Sequence, residues 1–199
     1  EGGRVQFWQG SPDLVVDNIE QIVDLSDPPW KSIDPDEHWV EVNLTEIVGG
    51  GSRRGIKTSG TVVAVRADSG IIERCPECRR VLRDGSCSDH GPQRGQEDLR
   101  LRFVVDNGIS NASLLMSREP SEDFLGMDME GVMGEISTNG REGFVSSLRS
   151  RTLSRTMTVL GRTIVDEQGA MILAESVELE KKDPRESAGN VMERWGVSL

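Results

Sequence analysis

The chain has 199 residues, a formal net charge of −11 and 4% aromatic residues, with no tyrosine. That length holds one good-sized core plus an accessory unit, and no stretch approaches the roughly twenty apolar residues of a membrane span. An acidic surface repels phosphate, so the overall charge taken alone argues against a nucleic-acid partner.

The distribution of charge reverses that argument. Ser11 to Glu46 holds ten acidic residues against one lysine, and Glu119 to Glu135 holds six with no base. Arg53, Arg54, Lys57 and Arg66 face no acid within their own segment, and Arg141, Arg149, Arg151, Arg155 and Arg162 are opposed in theirs by Glu142 alone. A basic surface is therefore expected beside the acidic one. Arginines number 19 and lysines four, a balance that suits a high-salt cytoplasm and an ordinary acidic protein equally well.

In chain order, Arg4–Trp8 and Leu14–Val16 read as short strands around a Gly- and Pro-containing turn, followed by Ile19–Leu25. A lone hairpin is marginal in water and must pack on something. Residues 27–56 form an acidic, proline-containing linker and lead-in, with a flexible break at Gly49-Gly-Gly51. His38 sits there among Asp34, Asp36 and Glu37, a solvated charge run in preference to a second metal site.

The main domain is expected over 57–180. Thr58–Arg66 is a β-branched run, and Asp68-Ser-Gly70 turns the chain into Ile71–Arg74. Next comes a four-ligand cluster: Cys75-Pro-Glu-Cys78, eight residues, then Cys87-Ser-Asp-His90. It uses every cysteine of the chain and one of two histidines. Thiolates and imidazole are the donors tetrahedral Zn²⁺ prefers, and two such pairs let two tight turns converge on one ion. A redox CxxC pair is the competing reading, and the second pair following so soon weighs against it. Four protein ligands leave no open position, so one structural zinc is expected. Cysteines committed to a metal imply a reducing, intracellular setting.

Beyond the cluster, Leu99–Val105 alternates apolar and basic, so Leu99, Leu101, Phe103 and Val105 face a core while Arg100 and Arg102 face out. Asp106-Asn-Gly108 signals a hairpin, with Ile109–Ser117 as the return strand. A helix starts near Glu119 and is expected to be weak or broken by Gly131 and Gly134. Thr156–Val165 and Ala170–Val177 make a final hairpin, and the tail, residues 181–199, holds one short helix with Val191, Met192 and Trp195 on a shared face. Three strands, a helical segment, then two strands is the order of the oligonucleotide-binding barrel: a mainly β OB-fold, a five-stranded Greek-key barrel, with the metal knuckle (71–93) inserted between strands one and two.

Chemistry by an enzyme is not expected. No glycine-rich phosphate loop with a lysine occurs, and the serines of 144–151 have no partnered His or Asp. Neither a membrane nor a small-molecule substrate is implied.

The run Gly60-Thr-Val-Val63, the run Ser69 to Gly91 with its four ligands, and Asp98-Leu-Arg-Leu-Arg102 with the Val104-Val-Asp-Asn-Gly108 turn resemble archaeal replication protein A, most closely its haloarchaeal branch. The resemblance covers roughly 44–179 and is specific at the metal motif. It implies a single-stranded-DNA-binding protein of several OB-folds, one carrying a zinc ribbon, acting in replication, recombination and repair in the cytoplasm at the nucleoid, with other replication protein A subunits or repair proteins as partners. Residues 1–26, with Phe7-Trp8-Gln-Gly10, look like the last strands of a preceding OB-fold, so the chain is expected to begin inside a domain and to bind more weakly than a full-length member. His90 stands where eukaryotic relatives have a fourth cysteine, and the stretch 131–143 matches only loosely.

Single strands are held by a basic groove along phosphates and by faces on which bases stack. Arg100 and Arg102, on the strand bordering the groove of such a barrel, are the first candidates, with Arg66 and Arg155 next and Trp8 as a stacking residue. Phe103 shares the inward phase and belongs to the core. The alternative is an assembly scaffold with weak DNA contact, which gains if these arginines pair with the acids of 119–135. An RNA-binding barrel of the same build is the third reading.

Overall fold

In the computed structural model the described residues are 2–8, 11–24, 26–27, 39–167 and 169–180, with isolated positions in the tail. His38, Trp30, the side chain of Trp8 and most of the expected tail helix fall outside them.

The first hairpin pairs β1 (Arg4–Trp8) with β2 (Ser11–Val15), antiparallel, and a short 3-10 turn follows at Ile19–Gln21 with Asn18 and Gln21 capping each other's backbone. The lead-in is ordered as β3 (Val40–Glu41) and α1 (Leu44–Gly49), the latter capped by the Asn43 side chain. Leu44 and Ile47 of α1 are fully buried.

The expected strands follow: β4 (Ile56–Val65), β5 (Gly70–Arg74), then the knuckle with its two-residue strands β6 (Ser86–Cys87) and β7 (Gly91–Pro92), then β8 (Gln96–Asp106) and β9 (Asn111–Met116). Helices α2 (Arg118–Leu125) and α3 (Met129–Thr152) lead to the final hairpin of β10 (Thr156–Asp166) and β11 (Gly169–Leu179).

Strand β4 pairs with both β10 and β8, so the sequence β4-β10-β11-β9-β8 closes on itself. The one parallel pairing in that ring joins β9 to β11. A ring of five strands in this order, with helices between the third and fourth, is an OB-fold. Closure removes the unpaired edges that an open sheet would expose. The inward phase read from β8 holds: Leu99, Leu101, Phe103 and Val105 are all fully buried. Phe103 meets Phe124 of α2 edge to face, with centroids 5.9 Å apart.

β8 is longer than the barrel needs. Its second half pairs with β4 (Val65↔Phe103), while its first half pairs with β5 (Gly70↔Arg100, Arg74↔Gln96). β4 and β5 thus form one strand interrupted at residues 66–69. The interruption is pinned by Ser69, fully buried, whose hydroxyl accepts from Arg102 N–H (3.0 Å) and donates to Arg102 O (3.2 Å). Past the break, β5 and the first half of β8 pair with each other, still packed on the barrel core through Leu99 and Ile71, and carry the knuckle at their far end.

The helical segment corrects the expectation. α3 passes straight through Gly131 and Gly134, is capped at its start by Asp128, and consists of two helical pieces that meet at Gly140. Each glycine weakens a helix by roughly 1 kcal/mol, and in the piece that holds them buried Val132, with Met129 and Ile136 packed against the core, offsets that. The break falls instead at Gly140 (φ 72°, ψ 163°), a conformation an L side chain resists.

Candidate metal centre and nucleic-acid interface

The two halves of the knuckle are built alike. Cys75 and Cys78 bracket a turn closed by Cys75 N–H donating to Arg80 O (2.8 Å) and Arg79 N–H donating to Cys75 O (2.9 Å). Cys87 and His90 bracket the turn between β6 and β7, where Cys87 pairs with Gly91. Between them, Asp84 and Gly85, both at positive φ, make the tight reversal that brings the second pair back onto the first. Leu82 packs with Cys75 and Cys87 in a miniature core separate from that of the barrel.

The four donor atoms lie within 4.8 Å of one another. Cys75 Sγ is 3.5 Å from His90 Nδ1, Cys78 Sγ 3.5 Å from Cys87 Sγ, and Cys87 Sγ 3.7 Å from His90 Nδ1. Tetrahedral bonds of about 2.3 Å to sulfur and about 2.0–2.1 Å to nitrogen give edges of about 3.5–3.8 Å. The donor set and its spacing fit a zinc ion. Backbone hydrogen bonds, first from Asp89 and then from His90, hold the Cys87 thiol down at about 6, which favours the thiolate a metal takes. His90 is pushed up by hydrogen bonds to Cys87 and then Cys75.

Outside the donors, Glu77 Oε2 stands 3.6 Å from His90 Nε2, while Glu77 Oε1 accepts from Gln93 Nε2 (3.1 Å). At 3.6 Å, beyond hydrogen-bond reach, this exposed carboxylate acts on the far nitrogen by charge alone. Arg80 pairs with Asp89 across the two turns, and Arg74, ion-paired to Asp98, donates to Arg79 O (3.0 Å), tying the knuckle to β5 and β8.

Arg100 and Arg102 project from the outer face of β8, but neither is free. Both donate to a single oxygen, Asp68 Oδ2, at 2.6 and 2.8 Å. Arg100 is 12% exposed at its side chain, Arg102 29% and Asp68 46%. Burial would raise the Asp68 carboxyl, and the Arg102 hydrogen bond and both guanidinium charges bring it below its ordinary value. The partner acid is therefore not one of residues 119–135. The groove beside them is bounded by Leu82 of the knuckle, Ile71 of β5 and Arg141 of α3, whose guanidinium is hydrogen-bonded to Ile71 O.

Arg66 is exposed where the interrupted strand crosses β8, its N–H donating to Arg102 O (2.9 Å). Arg155 is exposed further round the barrel, beside Val62, with its guanidinium on Arg151 O and Glu180 O; among the described residues no hydrogen bond links it to Arg100 or Arg102. Trp8 lies in β1, in the hairpin whose Asp13 pairs with Arg54 at 2.8 Å. Lys57 pairs with Glu41 at 3.7 Å. Two of the bases without a local acid thus find one from the acid-rich stretch before them.

Register exposes a feature that charge counting missed. Arg102 pairs with Leu115, Leu115 with Leu173, and Leu173 with Arg162. One row therefore crosses β8, β9, β11 and β10 on the outer face, arginine at each end and leucine between. At about 4.8 Å per strand it spans about 14 Å. The next row, Val104, Ser113, Met171 and Ile164, is half-buried and mostly apolar. A second concavity lies over Leu115 and Leu173, walled by Arg54 and Arg162. The signal for Arg162 lay in the alternation of Thr156–Val165, but its neighbours come from strands far apart in the chain.

No protein-family model matches the chain, and no curated protein matches it in sequence. Likeness is found among solved structures. A replication protein A heterotrimer bound to single-stranded DNA is 11% identical with a TM-score of 0.49, over 78% of this chain and 39% of that one. Yeast RPA bound to single-stranded DNA is 14% identical, TM-score 0.42, over 70% and 84%. The second OB-fold domain of replication protein A from Methanococcus maripaludis is 10% identical, TM-score 0.33, over 64% and 85%. The chain spans about two fifths of the first of these. The fold itself rests on the closed strand ring and its pairing.

Proposed function

We propose that this chain binds single-stranded DNA with little regard to sequence, as a zinc-braced OB module of replication protein A type serving replication, recombination and repair. The observation that carries the reading is the outer-face row with Arg102 and Arg162 at its ends and Leu115 and Leu173 between them. Arginine forks hold phosphates and also stack on bases, and the aliphatic middle receives base faces. The resemblance of residues 44–179 to the archaeal family supports it. The zinc would be held by Cys75, Cys78, Cys87 and His90, cross-linking the two turns so that the knuckle stands as a wall of the groove.

A second reading, an assembly scaffold, draws on a different observation. Val5, Phe7 and Leu14 of the first hairpin are 61–74% exposed, while Phe103 of β8 and Phe144 of α3 are fully buried. On that reading the hairpin is an interaction surface and the barrel touches DNA weakly.

The test is a fluorescence titration with a thymine oligonucleotide of about thirty bases and its uridine counterpart, at several salt concentrations. Saturable binding by the parent, weakened about tenfold or more in the Arg102→Glu, Arg162→Glu double variant, is expected. Parental affinity in the variant would remove the row from the interface, tighter binding of the uridine strand would favour RNA, and no binding at all would leave the scaffold.

A further inference from the structure

The Asp68–Arg100–Arg102 group is more than a surface ion pair. One carboxylate oxygen takes both guanidiniums, where a phosphate would present two or three oxygens to the same donors. The donors are fixed, since Arg100 is largely buried, and the carboxylate occupies the open side at 46% exposure. Arg100 Nε is buried and, among the described residues, meets no acceptor, so the carboxylate does not satisfy that guanidinium in full. Asp68 itself rides on the tight turn closed by Ser69 N–H donating to Arg66 O (3.1 Å), which Ser69 pins to β8. The charges around the groove balance, with Arg83, Arg100, Arg102 and Arg141 opposed by Asp68, Glu73, Asp84 and Glu97. With the Asp68 carboxylate turned away, four arginines would face three acids.

We infer that Arg100 and Arg102 form one phosphodiester-binding site, and that Asp68 is a resident anion which the phosphate of a bound strand displaces. This rests on the single-strand reading above and adds the group that sets its affinity. The protein then carries its own competitor, which keeps the two arginines aligned between encounters and lowers affinity for stray anions.

The experiment uses the full, zinc-loaded chain with the thymine oligonucleotide, comparing the parent with Asp68→Asn and Asp68→Glu across a salt series. Asp68→Asn is expected to bind about fivefold more tightly at low salt, because the repulsion between the resident carboxylate and a phosphate is gone. Its salt dependence should steepen by about one ion, since no carboxylate is freed to recapture a cation. Asp68→Glu, which keeps the charge, should stay near the parent. Equal or weaker binding by a cooperatively melting Asp68→Asn, beside a parent that binds, would make Asp68 a brace and overturn the inference while leaving single-strand binding intact. Absence of binding in parent and variants alike would fell the single-strand reading itself, and the inference with it. An independent readout needs no variant: the carboxyl carbon resonance of Asp68 in the parent should shift on saturation with the strand, and a resonance unmoved at saturation would overturn the inference.

Discussion

The knuckle and the barrel are held together by opposite means. The barrel closes five strands around a continuous core, with α1 contributing Leu44 and Ile47 and α3 contributing Phe144 and Leu148. The knuckle has Cys75, Leu82 and Cys87 as its whole buried cluster, and strands of two residues. Apolar burial of that size cannot offset the ordering of some twenty residues, and on the zinc reading proposed above ligand bonds supply the difference. The lesson is that the two regions should fail independently, although β8 runs through both.

Zinc removal is the strongest way to break that comparison. With Cys75→Ser and Cys78→Ser, metal content should fall from one ion per chain to none, and amides of residues 75–92 should lose protection from hydrogen exchange. Amides of Leu101, Phe103 and Leu114 should keep theirs, because the two cores are separate. Loss of protection in both would show the barrel to depend on its insertion. The converse is Phe103→Ala, expected to lower the barrel's unfolding free energy by about 3–5 kcal/mol in denaturant titration while one zinc per chain is retained at low denaturant. A finer effect belongs to Glu77→Gln. Losing the charge beside His90 should weaken zinc by no more than about fivefold in competition with a chelator, with the barrel's melting unchanged.

The two regions also differed in how far sequence revealed them. The knuckle was legible outright, because metal-ligand chemistry restricts residue type and spacing locally. The barrel was legible through alternation, most clearly in Leu99 to Val105, and through the Asp106-Asn-Gly108 turn. The passage of α3 through Gly131 and Gly134, with its break at Gly140, was not, since the glycine penalties are local and the burial that overrides them is tertiary. Nor were the ion pairs: Asp68 lies more than thirty positions from Arg100 and Arg102, and Arg54 finds Asp13 across the linker. The row from Arg102 to Arg162 depends on register across four strands, one pairing of which is parallel and joins segments separated by two helices. Pattern within a strand says which residues face out, and only the fold says which of them meet.

The central claim, that a single strand lies across this row, is tested most directly by methyl NMR of the zinc-loaded chain on addition of the thymine oligonucleotide. Saturable shifts of the Leu115 and Leu173 methyls, with buried Leu114 and Leu148 little changed, are predicted. Shifts confined to Val5 and Leu14 of the first hairpin, or none at saturating strand, would contradict it.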